Sequence, residues 1–418
     1  MSRIPRSWGR AYVSIFFVKA LSLAGCRAGY ARYSGVQREA AVDEFEACFA
    51  SLTDRRVSGS VKYRFIDLLY ISFATVLSGG EGYSDMARFV RAKEKLMRKR
   101  LCLPGTLPSH DVFRELYSWL DPSEFNACFM GFSKRFAGVL VGVAALDGKT
   151  LCGSAGSGGF PIHVVNAWAK EARIVLGQLA TEAKSNEITA VPRLLDLLSI
   201  NGCIVTVDAM NTQRATAEKI IECGADYVLA LKGNQKSLFE DVKLAMEDPE
   251  TTVESGEERV DSGHGRIETR VASVCTDVSF LDDHEWPWLA AIGKIVRTRE
   301  FKAIYTRQVN GTVSVSNKKT ETETVYHLLS RKFTPDEYGQ AVRDHWGVEM
   351  IHWSIDVLMG EDACQVRGRR AAANLSAVRK WIHNVVRSDD LKDTVRGRLM
   401  RASWDEAYMD KILGKMGT

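Results

Sequence analysis

The stretch 139-VLVGVAALDGKTL-151 decides how this chain is read: from Val139 to Leu146 no residue is charged or polar, and the run stops on Asp147. A short uninterrupted apolar run closed by a charge and a turn is the signature of a strand covered on both faces. The pattern returns at 203-CIVTVDAM-210, a β-branched run that stops on Asp208. An acid just past a buried strand has left the sheet interior and can face a ligand in the crevice above it. Singly, such an acid is more often a cap or turn residue. The elements around the pair therefore carry the weight.

Working outward, His163–Trp168 and Ile174–Ala180 read as two further strands and Asn186–Leu198 as a helix. Gln213–Cys223 reads as a second helix stopped by Gly224, and Tyr227–Leu231 as a strand. The resulting order, βββαβαβ, predicts an α/β fold with an RNase H-like core rather than a dinucleotide-binding domain. Residues 139–255 form the first part of that core.

Three other regions flank it. Residues 41–138 carry helical periodicity, with Phe65, Leu68, Leu69, Ile71, Phe73 and Val76 as a wide apolar stripe, and predict an N-terminal helical domain. Within it, Arg88, Arg91, Lys93, Lys95, Arg98, Lys99 and Arg100 face only Glu94. That density suits phosphate contacts as well as it suits a solvated helix face. Ser109 or Asp111 caps the helix that follows. Residues 256–333 turn β-rich, with strand candidates at Arg270–Val274, Ile292–Arg297, Ala303–Gln308 and Tyr326–Leu329 and a turn at Asn310-Gly311, and read as an insertion. Residues 334–418 return to helix, capped by Thr334, and 364–401 form a basic tail with ten Lys and Arg against three Asp.

Composition bounds the rest. In 418 residues, 56 Lys+Arg against 52 Asp+Glu leave a net charge of only +4, so any nucleic-acid surface is local. Nine cysteines without a CxxC pair argue against a disulfide framework and a zinc ribbon and suit a reducing, cytoplasmic compartment. No run of 18 apolar residues exists to span a membrane. Arg3, Arg6 and Arg10, the apolar run Ala11–Val18 and the ending Leu23-Ala24-Gly25-Cys26 imitate an export signal, but Lys19 interrupts it. Residues 1–40 are therefore expected to be an over-long translated start or a disordered extension, outside the fold.

The third acid is sought on the helix 345-HWGVEMIHWSID-356. His345, Glu349, His352 and Asp356 recur at steps of 4, 3 and 4 and share one face, beside an apolar stripe of Trp346, Met350, Trp353 and Val357. Asp147, Asp208 and a helix-borne Glu349 would give the oxygen ligands that Mg²⁺ prefers, with Mn²⁺ as substitute. Two ions about 3.5–4 Å apart would serve phosphoryl-transfer chemistry. Rival motifs are weaker. Gly148-Lys149-Thr150 lacks the glycine a phosphate-binding loop needs, since Val143 stands there, and no helix follows the Gly153–Gly159 turn directly. Trp286 and Trp288 could stack on an unpaired base, though packing is the commoner use of such residues.

Six ordered phrases then add a resemblance: Leu146-Asp147-Gly148-Lys149-Thr150, Lys184-Ser185-Asn186-Glu187, Val207-Asp208-Ala209-Met210, Leu231-Lys232-Gly233-Asn234-Gln235, His264-Gly265-Arg266-Ile267-Glu268 and His345-Trp346-Gly347-Val348-Glu349. The chain resembles, over about Glu44 to Leu413, the DDE transposases of bacterial insertion sequences, specifically the ISAs-type, H-repeat-associated group. Its helical unit, with Asp54-Arg55-Arg56 and Leu107-Pro108-Ser109-His110-Asp111, is similar to the domain that precedes the catalytic core in that group.

The resemblance implies a metal-dependent enzyme that cuts double-stranded DNA at element ends and joins it to a target, working as a homodimer on paired ends in the bacterial nucleoid. It carries the three catalytic, metal-binding acids onto Asp147, Asp208 and Glu349. The wider superfamily holds Tyr, Arg and Lys where this chain has Val342, His345 and Asp356, which leaves Glu361 and Asp362 as competing third acids. The expected DNA contacts are His345, which could replace the missing Arg only when protonated, with Lys232, Arg266, Arg91, Lys95 and Arg98. A nuclease without strand transfer, and an inactive or domesticated DNA-binding derivative, are the competing readings.

Overall fold

The computed structural model describes residues 40–56, 61–155, 160–181, 187–263, 265–301, 305–307, 313–315 and 319–416. The expectations for residues 1–39, Lys184–Asn186, His264, Gly156, Gly158, Gly159 and the Asn310-Gly311 turn lie outside the described residues.

The first half of the fold is helical: α1 (Ala40–Cys48), α2 (Phe65–Leu77), α3 (Tyr83–Ala92), α4 (Glu94–Arg100), α5 (His110–Trp119) and α6 (Pro122–Ala137). Helix α2 is predominantly apolar and is buried along almost its whole length, Asp67, Ser72 and Thr75 included, as a helix without an exposed polar face must be. Ser109 occupies the N-cap position of α5, but its side chain makes no cap bond. At α6, Asp121 accepts from the backbone N–H groups of Ser123 and Glu124, and Pro122 fills the first turn.

A mixed sheet follows. Its first strands are β1 (Val143–Leu151), β2 (Ile162–Ala169) and β3 (Ile174–Thr181), then β4 (Ile204–Val207) and β5 (Asp226–Leu231), with α7 (Glu187–Leu195) and α8 (Arg214–Glu222) between them. They lie in the order β3-β2-β1-β4-β5, with β1 antiparallel to β2 and parallel to β4. Strand β1 starts later than expected, Val139 and Val141 being exposed, and it runs on past Asp147. The reason is its unequal neighbours. Pairing with β4 stops at Leu146↔Val207, whereas pairing with β2 continues to Leu151↔Ile162. Asp147 therefore sits where the sheet loses one partner, and a crevice opens there.

After α9 (Lys236–Glu247) come β6 (Glu254–Ser255), β7 (Arg259–Gly263), β8 (Arg266–Cys275), β9 (Ala291–Phe301), β10 (Tyr305–Arg307), β11 (Val313–Val315) and β12 (Lys319–Leu329). The β-rich segment is continuous with the core: β12 hydrogen-bonds to β5 on one side and to β9 on the other, extending one sheet to ten strands. Trp286 is buried in the core beneath it, and Trp288 is 60% exposed.

The chain closes with α10 (Pro335–His345), α11 (Gly347–Met359), α12 (Arg369–Arg387), α13 (Val395–Trp404) and α14 (Glu406–Gly414). A capping box joins Thr334 and Glu337 at the start of α10. Helix α12 is the keystone. Its Trp381 is fully buried, with the rings of Phe49, Phe73, Phe125, Phe129 and Phe132 at 4.9–6.0 Å, so one aromatic core joins the N-terminal helices to the C-terminal ones.

That packing changes the basic tail. Arg379 donates to the carbonyls of Met359 and Glu81, Lys380 to Gln178 and Ser376, and Arg398 to the carbonyls of Val386, Arg387 and Leu391. These cations satisfy buried helix ends and polar groups, which the bare charge count could not reveal.

Candidate active site

Parallel pairing brings Asp147 and Asp208 together. Each immediately follows a residue of the last β1–β4 pair, Leu146↔Val207, and adjacent strands run about 4.8 Å apart. Asp147 Oδ1 accepts from the Gly148 N–H (2.9 Å), and Asp208 Oδ1 accepts from the backbone N–H (3.0 Å) and Nδ2 (2.8 Å) of Asn211. Burial, followed by the negative charges of Asp208, Glu187 and Glu349, pushes the Asp147 carboxyl up to about 7, against the pull of the Gly148 N–H. Three other carboxylates are thus near enough for their charges to be felt at Asp147.

Glu349 approaches from the first turn of α11 and is exposed. Close approach of that helix depends on Gly347, where a Cβ would come 2.8 Å from Trp168 Nε1 on β2. The helix buries Val348, Ile351, Ile355 and Met359, whereas Met350, Trp353 and Val357 are 65%, 56% and 59% exposed. The expected apolar stripe is thus turned largely to solvent: α11 packs through the opposite face, and the polar face of Glu349, His352 and Asp356 lies between the two.

The rival third acids are placed differently. Glu361 is buried, 2.7 Å from Lys149 Nζ and hydrogen-bonded to Ser376, and Lys149 also pairs with Asp356. Burial works to raise the Glu361 carboxyl, but Lys380 and Lys149 outweigh it and hold it down at about 2. Asp362 lies 3.8 Å from the same lysine. Both belong to an ion-pair network that ties α11 and α12 to β1, while Glu349 acts on Asp147.

Glu187 is the residue that sequence reasoning passed over as a site member. It opens α7, is buried, lies 2.6 Å from His163 Nε2, and accepts from Asn211 Nδ2 at 2.5 Å. A Cβ on Gly148 would collide with its carboxylate, which is why glycine follows Asp147. The signal was its place in one of the six family phrases, but nothing local announced an inward-facing acid.

The expected DNA contacts scatter. Lys232 is exposed just past β5. Arg266 lies 3.3 Å from Glu268, which also holds Arg270 and Arg299. His345 is bonded through Nδ1 to Thr206 Oγ1 (2.8 Å), and burial, opposed by Asp208, lowers it to about 4, so it is neutral at pH 7. The basic segment is two helices broken at Lys93. Arg91 and Lys95 are exposed, but Arg98 is spent on Glu94 and on the carbonyls of Leu103, Pro104 and Gly105.

Among the described residues, no group of three or more His, Cys, Asp or Glu side chains stands close enough to hold a metal ion. The donor chemistry nevertheless fits a hard divalent cation: Asp208, Glu187 and Glu349 are near enough for their charges to raise the Asp147 carboxyl, and that repulsion is what a cation would relieve.

Comparison with known proteins agrees with this picture. A family model described as "Transposase DDE domain" matches residues 133–385, and one described as "DDE_Tnp_1-associated" matches 46–133. The "H repeat-associated putative transposase YhhI" of Escherichia coli (strain K12) is 31% identical over 374 residues, covering 88% of this chain and 96% of its own length. The "Putative protein YbfL" of the same strain is also 31% identical over the same shares. A solved piggyBac transposase synaptic complex with hairpin DNA superposes over 89% of this chain and 79% of its own, at 12% identity and a TM-score of 0.40, too loose a likeness to carry an argument.

Proposed function

This chain belongs to the family of DDE-domain transposases, and on that footing we propose that it cleaves double-stranded DNA at the ends of an insertion sequence and joins the freed ends to target DNA. The observation that carries the reading is the Asp147 carboxyl, raised by burial and by the charges of Asp208, Glu187 and Glu349. Such clustering of like charge is unfavourable in itself and is characteristic of sites built for a cation. The strand order β3-β2-β1-β4-β5, antiparallel and then parallel, supports an RNase H-like reading of the core.

Asp147, Asp208 and Glu349 would hold divalent metal, Mg²⁺ with Mn²⁺ as substitute, and two ions fit the reaction class. When bound, the metal supplies positive charge at the scissile phosphate. The protein's own part is orientation: Asn211 fixes Asp208, the Gly148 N–H fixes one oxygen of Asp147, and α11 brings Glu349 to the crevice mouth. Water would attack phosphorus in line at the element end and expel the element's 3′-oxygen, which leaves as the 3′-hydroxyl; that hydroxyl would then attack a target phosphodiester and expel the target strand's 3′-oxygen, which takes up a proton. Lys232, Arg91 and Lys95 would contact phosphates, with Arg266 at the edge of its arginine cluster. His345 is neutral and would serve as a positioning group at Thr206. A homodimer on paired ends, acting on nucleoid DNA in the cytoplasm, completes the reading. No helix among the described residues is long and apolar enough to cross a membrane.

Labelled duplex carrying the element's own ends, incubated with Mg²⁺, Mn²⁺ or EDTA, tests this with wild type and Asp208→Ala. Metal-dependent cleavage and joined products in the wild type alone are expected. Cleavage without joining would make the protein a nuclease, and binding without cleavage would make it an inactive derivative.

A further inference from the structure

Asp147 is approached from two sides. Gly148 N–H holds Oδ1, and Oδ2 lies 3.6 Å from Nδ1 of His352, one turn along α11 from Glu349. The other ring nitrogen, Nε2, is 3.0 Å from Nδ2 of Asn166, the β2 residue directly opposite Asp147 in the strand register. Asn166 is 2% exposed, and its Oδ1 has no hydrogen-bond partner among the described residues.

An amide carries a donor and an acceptor, so the contact has two possible senses. If Asn166 Oδ1 faced the ring, Nε2 would carry the proton and the bare lone pair of Nδ1 would confront the Asp147 oxygen. With Nδ2 facing the ring, Asn166 donates to Nε2, and the proton of the neutral imidazole resides on Nδ1, facing Asp147. Only the second sense leaves both ends complementary, and it is the sense in which the Asn166 oxygen is the atom without a partner.

We infer that His352 is a positioning residue for Asp147, its Nδ1–H tautomer being set by Asn166, so that a buried amide on β2 and an imidazole on α11 aim the first carboxylate. The assignment rests on Asp147 being a member of the catalytic set. It mirrors the second aspartate, which Asn211 aims directly. It also gives α11 two tasks at one strand end, presenting Glu349 and orienting Asp147. The 3.6 Å gap is one that a small rotation closes, as catalytic contacts commonly tighten when a site is filled.

The tautomer is read directly by long-range ¹H–¹⁵N correlation spectra of metal-free protein labelled at its eight histidines, with His352 assigned by its loss in His352→Asn. Wild type should show the proton on Nδ1, and Asn166→Asp, whose carboxylate can only accept, should move it to Nε2. In the cleavage assay, His352→Ala should lower kcat by about 10–100-fold with KM for DNA unchanged and weaken Mn²⁺ binding similarly. His352→Asn, which places an amide N–H where Nδ1–H stood, should recover most of both. A wild-type Nε2–H tautomer overturns the inference, as does a His352→Asn protein no better than His352→Ala. The spectrum decides the relay even if the wild type cleaves no DNA, an outcome that would instead remove the transposition reading.

Discussion

Replacing Asp147 by Asn should stabilise the metal-free protein at neutral and alkaline pH and do so less at acid pH. The Asp147 carboxyl rises from 3.8 to about 7 on folding, because burial and three neighbouring carboxylates disfavour its ionised form. A raised acid means that between these values the folded state binds a proton the unfolded state has lost, so stability falls as pH climbs through that window. The full shift corresponds to about 4 kcal/mol, present above the folded value, of which only about 1.5 kcal/mol has developed at pH 5. Asn keeps the shape and the acceptor for the Gly148 N–H but carries no charge. The excess stability of Asp147→Asn over wild type should therefore be about 2–3 kcal/mol larger at pH 8 than at pH 5. Urea unfolding in EDTA at pH 5, 6, 7 and 8 measures it, and the difference between the two proteins cancels the titrating groups that are not coupled to Asp147. Adding Mn²⁺ at pH 8 should close the gap by stabilising wild type alone. An advantage independent of pH, or one that shrinks as pH rises, would refute the electrostatic reasoning, since burial and like-charge repulsion both penalise the ionised carboxyl and both give this sign.

Three further outcomes are expected. Lys149→Met takes from the buried Glu361 its hydrogen-bonded lysine, leaving only the more distant Lys380, and should destabilise the protein by about 3 kcal/mol in urea unfolding, much of it recovered when Glu361→Gln is added. Trp381→Ala opens a cavity at the junction of five phenylalanines and should cost about 3–5 kcal/mol, with the N-terminal helices and the sheet losing structure together by circular dichroism. Arg91→Ala and Lys95→Ala should each reduce the salt dependence of DNA binding by about one unit of logarithmic slope with unchanged melting temperature. Arg98→Ala should instead lower the melting temperature, because its guanidinium holds the 103–105 loop.

Much of the frame was readable from local pattern. Apolar runs closed by acids, glycine stops and a capping threonine depend on neighbours within a few residues, and they located β4, β5, α8 and the starts of α7 and α10 within a residue, while α7 ends three residues before the expected Leu198. The two aspartates could be singled out because a buried strand announces its end in sequence. Only tertiary structure decided what meets what. Whether a helix buries the stripe beginning at Trp346 or the one beginning at Val348 depends on the surface it lands on, and that surface is built by β1 and β2, some two hundred residues earlier. The fates of Arg379, Lys380 and Arg398 depend on which carbonyls and carboxylates surround them after packing, since a charge in a list is solvated by default. Glu187, Asn166 and His352 are brought to the aspartates by strand register and helix docking, two long-range geometries that leave no periodic trace along the chain.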